Sequence, residues 1–548
     1  MNAVAEGIEM KQWDYIIVGA GSAGCVLADR LSADPANQVL LLEAGPVDKH
    51  PLLHMPRAAG KFMGDEEHTW TFPTEAHDGI PAETWFRGKV LGGSSSVNGM
   101  MYFRGQPQDY DTWESLGARG WGWSEMSKAF RAIEDHELGD DGVRGVGGPL
   151  PITVDRMRSP FTEAFIKAGE QMGIPRVEDI NRPEQEGIGY ATRTIARGRR
   201  QSTAQTFLAR AKSRPNLTVI TGFLVDKVLF DGARATAVTG IGPGKQPETH
   251  HAAGEIILSA GTLLSPAILQ RSGIGDGEHL ASLGIPVVAH SPGVGRHLLE
   301  HRLLGMYFEL TVPHSHNPHL RGLRAIANGM RWFLTHSGPM ASGYGSVGAF
   351  VRVLPDAQTP DVEILLSEVV GITDPEGGIG VDSKHSVTVF GYPLRSRSEG
   401  WLAITTTDPA ASPRIQAAYL TDPYDREITV AMHRYLRRFM QQPALAPMIL
   451  EEREPSRSLQ SDEEIIEGYR SQGLPGFHAC GTARMGDFPD AVLDEKLRVR
   501  GVAGLRVVDG SIMPTMVSCN TNGPIMASAW HAGGLILEGR NRFASAPL

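Results

Sequence analysis

With 548 residues the chain is well beyond the roughly 250 to 300 at which one hydrophobic core stops growing, so two or more lobes are expected. Apolar residues at 41% and charged residues at 21% exclude a disordered or fibrous chain and fit an ordinary soluble one. A net charge of −10 disfavours nucleic acid and anionic lipid as partners, a local basic patch excepted.

The stretch before Trp13 carries Glu6, Glu9 and Lys11 and lacks the apolar core of an export signal. Residues 13–44 read as strand, tight turn, helix and strand: 15–18 and 39–42 are short apolar runs of the kind buried in a parallel sheet, and 23–31 have helical spacing. Residues 51–109 are rich in glycine and turn formers and are expected to lie as extended segments over a ligand. Residues 113–137 read as helix and 139–148 as loop. A helix at 202–212 precedes strands at 217–220, 227–230 and 255–259, with His250 and His251 placed in a loop. From His301 to Gly473 longer alternating runs, such as 362–366 and 386–390, predict a separate antiparallel sheet with covering helices. Residues 501–540 return to strand, loop and helix, so the chain's end is expected to complete the first lobe. No run approaches the roughly 20 apolar residues of a membrane span. Cys25, Cys480 and Cys519 are too few for a disulfide framework and read as packing residues, and the expected compartment is the cytoplasm.

Gly19-Ala20-Gly21-Ser22-Ala23-Gly24 fits G-x-G-x-x-G directly after a strand and before a helix, and Glu43, followed by Ala44, closes the next strand about 20 residues on. The first glycine permits the turn, the second lets backbone approach a pyrophosphate, and the third lets helix and strand pack closely. Glu43 is placed to accept hydrogen bonds from ribose hydroxyls, and the helix start near Ser22 offers free N–H groups to phosphates. The pattern recurs at Gly343-Tyr344-Gly345-Ser346-Val347-Gly348 without a good preceding strand or a following acid, so the N-terminal copy alone is assigned to a dinucleotide. By itself the motif serves FAD and NAD alike.

Two further segments decide between them. Gly88-Lys89-Val90-Leu91-Gly92-Gly93-Ser94-Ser95-Ser96-Val97-Asn98, continuing through Gly99, Met100, Tyr102 and Gly105 to Asp111, resembles the first signature of the glucose-methanol-choline (GMC) oxidoreductases. Gly261-Thr262-Leu263-Leu264-Ser265-Pro266, leading to Ser272-Gly273-Ile274-Gly275, resembles the second. Adjacent glycines suit close approach to a flat ring, and serine hydroxyls and Asn98 can hydrogen-bond pyrophosphate or ring edges. The resemblance implies an α/β, Rossmann-like FAD-binding domain formed by residues 10–155, 195–300 and 474–548, and a separate α+β substrate-binding domain with an antiparallel sheet from 156–194 and 301–473. It implies FAD contacts at Gly19, Gly21, Ser22, Ala23, Gly24, Glu43, Ala44, Gly92, Gly93, Ser95, Asn98, Gly99, Met100, Val225, Ala260, Gly261, Asp509, Gly510, Asn520 and Asn522. Some family members attach FAD through a histidine in the first signature. Val97 stands there in this chain, so non-covalent FAD is expected.

Phe477-His478-Ala479-Cys480-Gly481-Thr482-Ala483-Arg484-Met485-Gly486 resembles the family's histidine-bearing segment, and Val507-Val508-Asp509-Gly510-Ser511-Ile512-Met513-Pro514 with Asn520-Thr521-Asn522-Gly523-Pro524 resembles its last. By that match His478 is the catalytic histidine, and Asn520 stands where members carry a second histidine or an asparagine. Asn522 is a rival in register, or a cap for a helix opened by Pro524. Oxidising an alcohol removes a hydroxyl proton and a hydride, and flavin N5 takes only the hydride. A histidine, neutral in large part near pH 7, suits the proton, and an asparagine amide can steady the developing alkoxide.

The expected reaction is oxidation of a primary alcohol to an aldehyde, with oxygen or another redox carrier as acceptor. The rivals are a flavin-containing hydroxynitrile lyase of the same family and a non-catalytic flavoprotein. Trp332, Tyr344, Phe350 and Phe477 hint at an uncharged, aromatic alcohol, though a sugar also stacks on such rings. His314, His316 and His319 lie in a proline-flanked loop with no cysteine or carboxylate among them, and no metal is assigned. His531 reads as a packing or surface residue and Cys480 as structural.

Overall fold

The computed structural model describes residues 12–373 and 379–544, so the stretch before Trp13, read above for export, lies outside the described residues apart from Gln12. The apolar run at the amino end forms β1 (Gln12–Val18), which pairs in parallel with β2 (Val39–Glu43) through α1 (Ser22–Leu31). β3 (Leu217–Thr221) extends the sheet in parallel beyond β2. β4 (Leu224–Asp231), β5 (Arg234–Ile241) and β6 (Pro247–Leu258) form an antiparallel meander, and the second half of the twelve-residue β6 turns parallel beside β1. The strand Leu505–Val507 then pairs in parallel with that half, so the chain's end completes the sheet in the order β3-β2-β1-β6-β5-β4. Ile16, Ile17, Leu40, Leu41, Ile256 and Ile257 are fully buried, as a sheet covered on both faces requires.

The second sheet is antiparallel throughout. Its strands are β7 (Arg302–Leu310), β8 (Val347–Val351), β9 (Val362–Ser367) and β10 (Ser386–Pro393), in the order β7-β10-β9-β8, with Ile449–Glu452 beyond β7 and Gly187–Tyr190 beyond β8. One face is covered by α2 (Pro160–Gln171) and the helix Pro423–Met440, where Phe165 meets Phe439 at 4.6 Å between ring centroids; burying each such ring contributes about 1.5 to 3 kcal/mol. The opposite face looks onto the first lobe. Among the described residues no helix is long and apolar enough to cross a membrane.

Three local expectations change. The helix expected at 113–137 is two helices, Pro107–Ser115 and Trp123–Ile133, because the Gly117–Gly122 region turns between them and both its first and fourth residues take positive φ. The 202–212 helix is a wide turn at Ala204–Leu208 that tightens at Ala209–Ala211. His250 and His251 are not in a loop but in β6, half-buried, where the polar alternation belongs to the meander's outer half.

Candidate active site

The carboxyl ends of β1, β2, β6 and Leu505–Val507 open together onto a cavity of about 1410 Å³, walled on its far side by Leu303, Tyr307, Leu365, Ser367, Thr388 and Phe390 of the second sheet. Crevices outside the carboxyl ends of parallel strands are where such sheets bind ligands. The volume exceeds the ~300 to 1,000 Å³ of an ordinary small-molecule pocket, which leaves space for a dinucleotide and a second molecule. Gly19, Gly21, Ser22, Ala23, Glu43, Ala44, Gly93, Asn98, Gly99, Met100, Val225, Ala260, Gly261, Asp509, Gly510, Asn520, Asn522 and His478 all line it.

Gly24, Gly92 and Ser95 do not. A Cβ on Gly24 would lie 1.8 Å from the Gly19 carbonyl oxygen, so this glycine lets α1 pack on its strand. Gly92 opens the short turn Gly93–Ser96, and the buried Ser95 hydroxyl donates to the Gly92 carbonyl at 2.6 Å and accepts from Thr203 N at 3.0 Å. These residues shape the loop behind the wall.

The wall fits a dinucleotide. Gly19 takes φ +98°, and a Cβ there would stand 2.5 Å from the Ser259 carbonyl oxygen, so the β1–α1 turn admits only glycine. α1 starts with no side-chain cap and no acid in its first turn, leaving bare N–H groups and the positive end of the helix dipole facing the cavity. Glu43 accepts from Ala20 N at 2.8 Å and Gly45 N at 2.9 Å, and burial pushes its pKa up to about 7. Asn522 is the first residue of the helix Asn522–Ala544, and its Oδ1 accepts from the Ser22 hydroxyl at 2.7 Å, tying two helix starts together. Asp509 accepts from Gly261 N, Ser265 Oγ, Ser511 N and Ser511 Oγ, so both its oxygens already brace the strand ends.

At the other end of the cavity lie the two residues assigned to chemistry. Asn520 Nδ2 donates to His478 Nε2 at 2.8 Å. His478 Nδ1 lies 2.9 Å from Nδ1 of His301, whose Nε2 sits 3.0 Å from the Leu394 carbonyl oxygen. A carbonyl can only accept, so His301 carries its proton on Nε2 and leaves Nδ1 bare. The shared contact then needs a proton on His478 Nδ1, so His478 Nε2 is unprotonated and its lone pair accepts from Asn520 Nδ2–H. This assignment rests on the hydrogen-bond network. Burial lowers the pKa of His301 to about 4 and, with the neighbouring His301 and Arg87, that of His478 well below 6.5, so both rings are neutral.

The sequence reading missed the support of this pair. Glu300 Oε1 accepts from His478 N at 2.6 Å and His301 N at 3.0 Å, and Arg87 stands 3.5 Å from Oε2. Tyr392 and Glu363 face each other across β10 and β9; the tyrosine hydroxyl lies 2.6 Å from Glu363 Oε2 and 3.3 Å from Asn520 Oδ1. Burial raises Glu363 to about 8, and its Oε1 has no hydrogen-bond partner among the described residues. A neutral Glu363 can donate to Tyr392, which frees the tyrosine proton for Asn520 Oδ1 and fixes the amide with Nδ2 toward His478. Glu300 and His301 are adjacent in sequence, yet nothing in that pair announces a partner 177 residues away.

Of the aromatic candidates, Tyr344 and Phe477 line the cavity. Phe350 is buried edge-on against Phe103, and Trp332 is buried under its own helix; neither reaches the wall. The second glycine motif runs into β8 instead of a helix and offers no helix start to a phosphate. His531 packs at 4.8 Å between ring centroids against Trp121, and Cys25, Cys480 and Cys519 are buried free thiols.

Models of the GMC oxidoreductase family match residues 13–303 and 396–529. The chain belongs to the GMC oxidoreductase family. It is 39% identical to the mitochondrial choline dehydrogenase of Homo sapiens, over 96% of this chain and 90% of that protein. Among solved structures it is similar to pyridoxine 4-oxidase from Mesorbium loti, with a TM-score of 0.86 and 31% identity over 97% of this chain and 99% of that one. It is also similar to an FAD-dependent oxidoreductase from Chaetomium thermophilum, with a TM-score of 0.87 and 26% identity over 97% and 100% of the two chains. The α/β lobe with a separate antiparallel sheet is the fold expected from the sequence.

Proposed function

We propose that this GMC oxidoreductase oxidises a small primary alcohol to the aldehyde, with FAD held non-covalently in the β1–α1 cradle and against Asn98, Gly99 and Met100. When bound, FAD supplies the acceptor for the hydride. The chain's own residues handle the proton. His478 Nε2 takes it from the substrate hydroxyl, and Asn520 Nδ2–H steadies the oxygen as charge develops there. Val97 at the cavity wall is no nucleophile, which supports a flavin without a covalent bond.

The observation that carries the reading is the lone pair left on His478 Nε2 by the chain of hydrogen bonds from Leu394 through His301. An alcohol oxygen entering between the two groups displaces the Asn520 Nδ2–H contact, donates its proton to His478 Nε2 and accepts from the freed amide. The cavity wall is rich in apolar and aromatic side chains, which suits an uncharged alcohol and, through cation–π contact, also a quaternary ammonium alcohol of the kind named for the human relative. Oxygen or another redox carrier receives the electrons afterwards.

Mixing the purified yellow protein with primary alcohols in the absence of oxygen tests the proposal. An oxidoreductase loses its flavin absorbance with at least one of them. A hydroxynitrile lyase or a non-catalytic flavoprotein keeps it with all. Assays with oxygen, recording hydrogen peroxide, and with an artificial dye then distinguish an oxidase from a dehydrogenase.

A further inference from the structure

α3 (Gly322–Thr335) lies on the second lobe with an apolar face turned to solvent: Leu323 is 84% exposed, Ile326 59%, Met330 57%, Phe333 52% and Leu334 84%. At about 100° per residue these five side chains share one stripe, and Trp332 falls opposite it. Trp332 is 2% exposed and donates its indole N–H to the Gly198 carbonyl at 2.7 Å, so the helix is anchored on one side and apolar on the other.

The charge carried by the helix's own segment is of one sign. From Leu310 to Pro355 the sequence has no aspartate or glutamate, while Arg321, Arg324 and Arg331 belong to the helix and its first flank, in a chain whose net charge is −10. Arg324 and Arg331, seven residues apart, project along the same edge of the stripe. An apolar stripe edged by arginines is the pattern of a helix lying in the headgroup boundary of an anionic bilayer. A second copy docked stripe to stripe would bring like charges together.

We propose that α3 is a membrane-docking helix that seats the Leu323 to Leu334 stripe in an anionic bilayer surface, with its arginines on the lipid phosphates. The wide cavity opens beside it, for Leu320, Ala325 and Met340 line that cavity. Docking therefore sets this side of the cavity close to the bilayer surface. The docking itself stands whichever reaction the cavity performs.

The test is flotation of the full-length, FAD-loaded protein with vesicles of phosphatidylcholine alone or with added phosphatidylglycerol. The protein is expected to float with the anionic vesicles, less so as salt rises. In the triple variant Leu323→Glu, Ile326→Glu, Leu334→Glu the bound fraction should fall at least about tenfold. Arg324→Gln with Arg331→Gln should weaken binding and its salt dependence together, whereas Leu450→Glu, at an exposed leucine elsewhere, should leave it unchanged. Retained flavin content and dye-linked turnover of a water-soluble alcohol show that the variants are folded. Wild-type protein that stays unbound with anionic vesicles at low salt overturns the proposal. So does a triple variant that floats like the wild type while sedimentation shows it splitting a dimer.

Discussion

His301 and His478 are opposed across an antiparallel contact that also pairs Leu299 with Cys480, and their Nδ1 atoms meet at 2.9 Å. One ring decides the tautomer of the other. The arrangement does for this base what a carboxylate does in many histidine sites: it fixes the proton on Nδ1 and leaves Nε2 unprotonated.

His301→Ala is therefore expected to lower kcat/KM by roughly tenfold to 100-fold, a positioning effect within the range of general base catalysis, with flavin content unchanged. His301→Gln, whose amide oxygen can accept from His478 Nδ1–H, should recover part of the loss. Steady-state kinetics of the two variants beside the wild type make the comparison. Equal loss in both would mean that the ring serves packing alone.

The pH dependence follows from the buried rings. His301 is held at about 4 and His478 well below 6.5, so the folded state binds fewer protons than the unfolded chain between pH 6.5 and about 4. Their contribution to stability is full above pH 6.5 and is lost as the pH falls through that window. Glu363 acts in the opposite direction. Its pKa of about 8 lies above the unfolded value, so stability falls as pH rises from about 4.5 to about 8. Melting temperatures from pH 5 to 9 should show a shallower acid limb for His301→Gln and a shallower alkaline limb for Glu363→Gln. The acid limb of kcat/KM should lie well below pH 6.5.

Tyr392→Phe removes the hydroxyl 3.3 Å from Asn520 Oδ1 and should reduce kcat more than KM, by about tenfold, through a loosened amide. Glu363→Gln keeps a donor toward the tyrosine and should leave kcat near wild type at pH 7. A large loss in Glu363→Gln and none in Tyr392→Phe would contradict the order of the relay.

Gly24→Val tests the cradle. Its Cβ would overlap the Gly19 carbonyl oxygen, and no flexible side chain is there to move, so the β1–α1 turn must open. The variant should emerge colourless or should lose flavin on gel filtration, with a melting temperature at least several degrees lower.

What the sequence made legible was local. Tyr15 to Val18, the glycine turn and Glu43 form one contiguous unit whose hydrophobic period and turn chemistry agree, and it folds as expected. His478 and Asn520 were found through their resemblance to family segments, and the structure brings them to 2.8 Å. His301, Glu363 and Tyr392 were not legible, because each acts through a strand pairing between distant segments. The stripe on α3 was hidden for a different reason. Helical spacing marks an apolar face without saying which way it turns, and the buried Trp332 on the other side of the helix shows that this face is outward.

In the proposed reaction His478 Nε2 removes the substrate's hydroxyl proton. The most direct measurement is the rate at which flavin absorbance is lost after anaerobic rapid mixing of His478→Ala with an alcohol that reduces the wild type. The expected rate is lower by about 100-fold or more at equal flavin content. A rate equal to that of the wild type would contradict it.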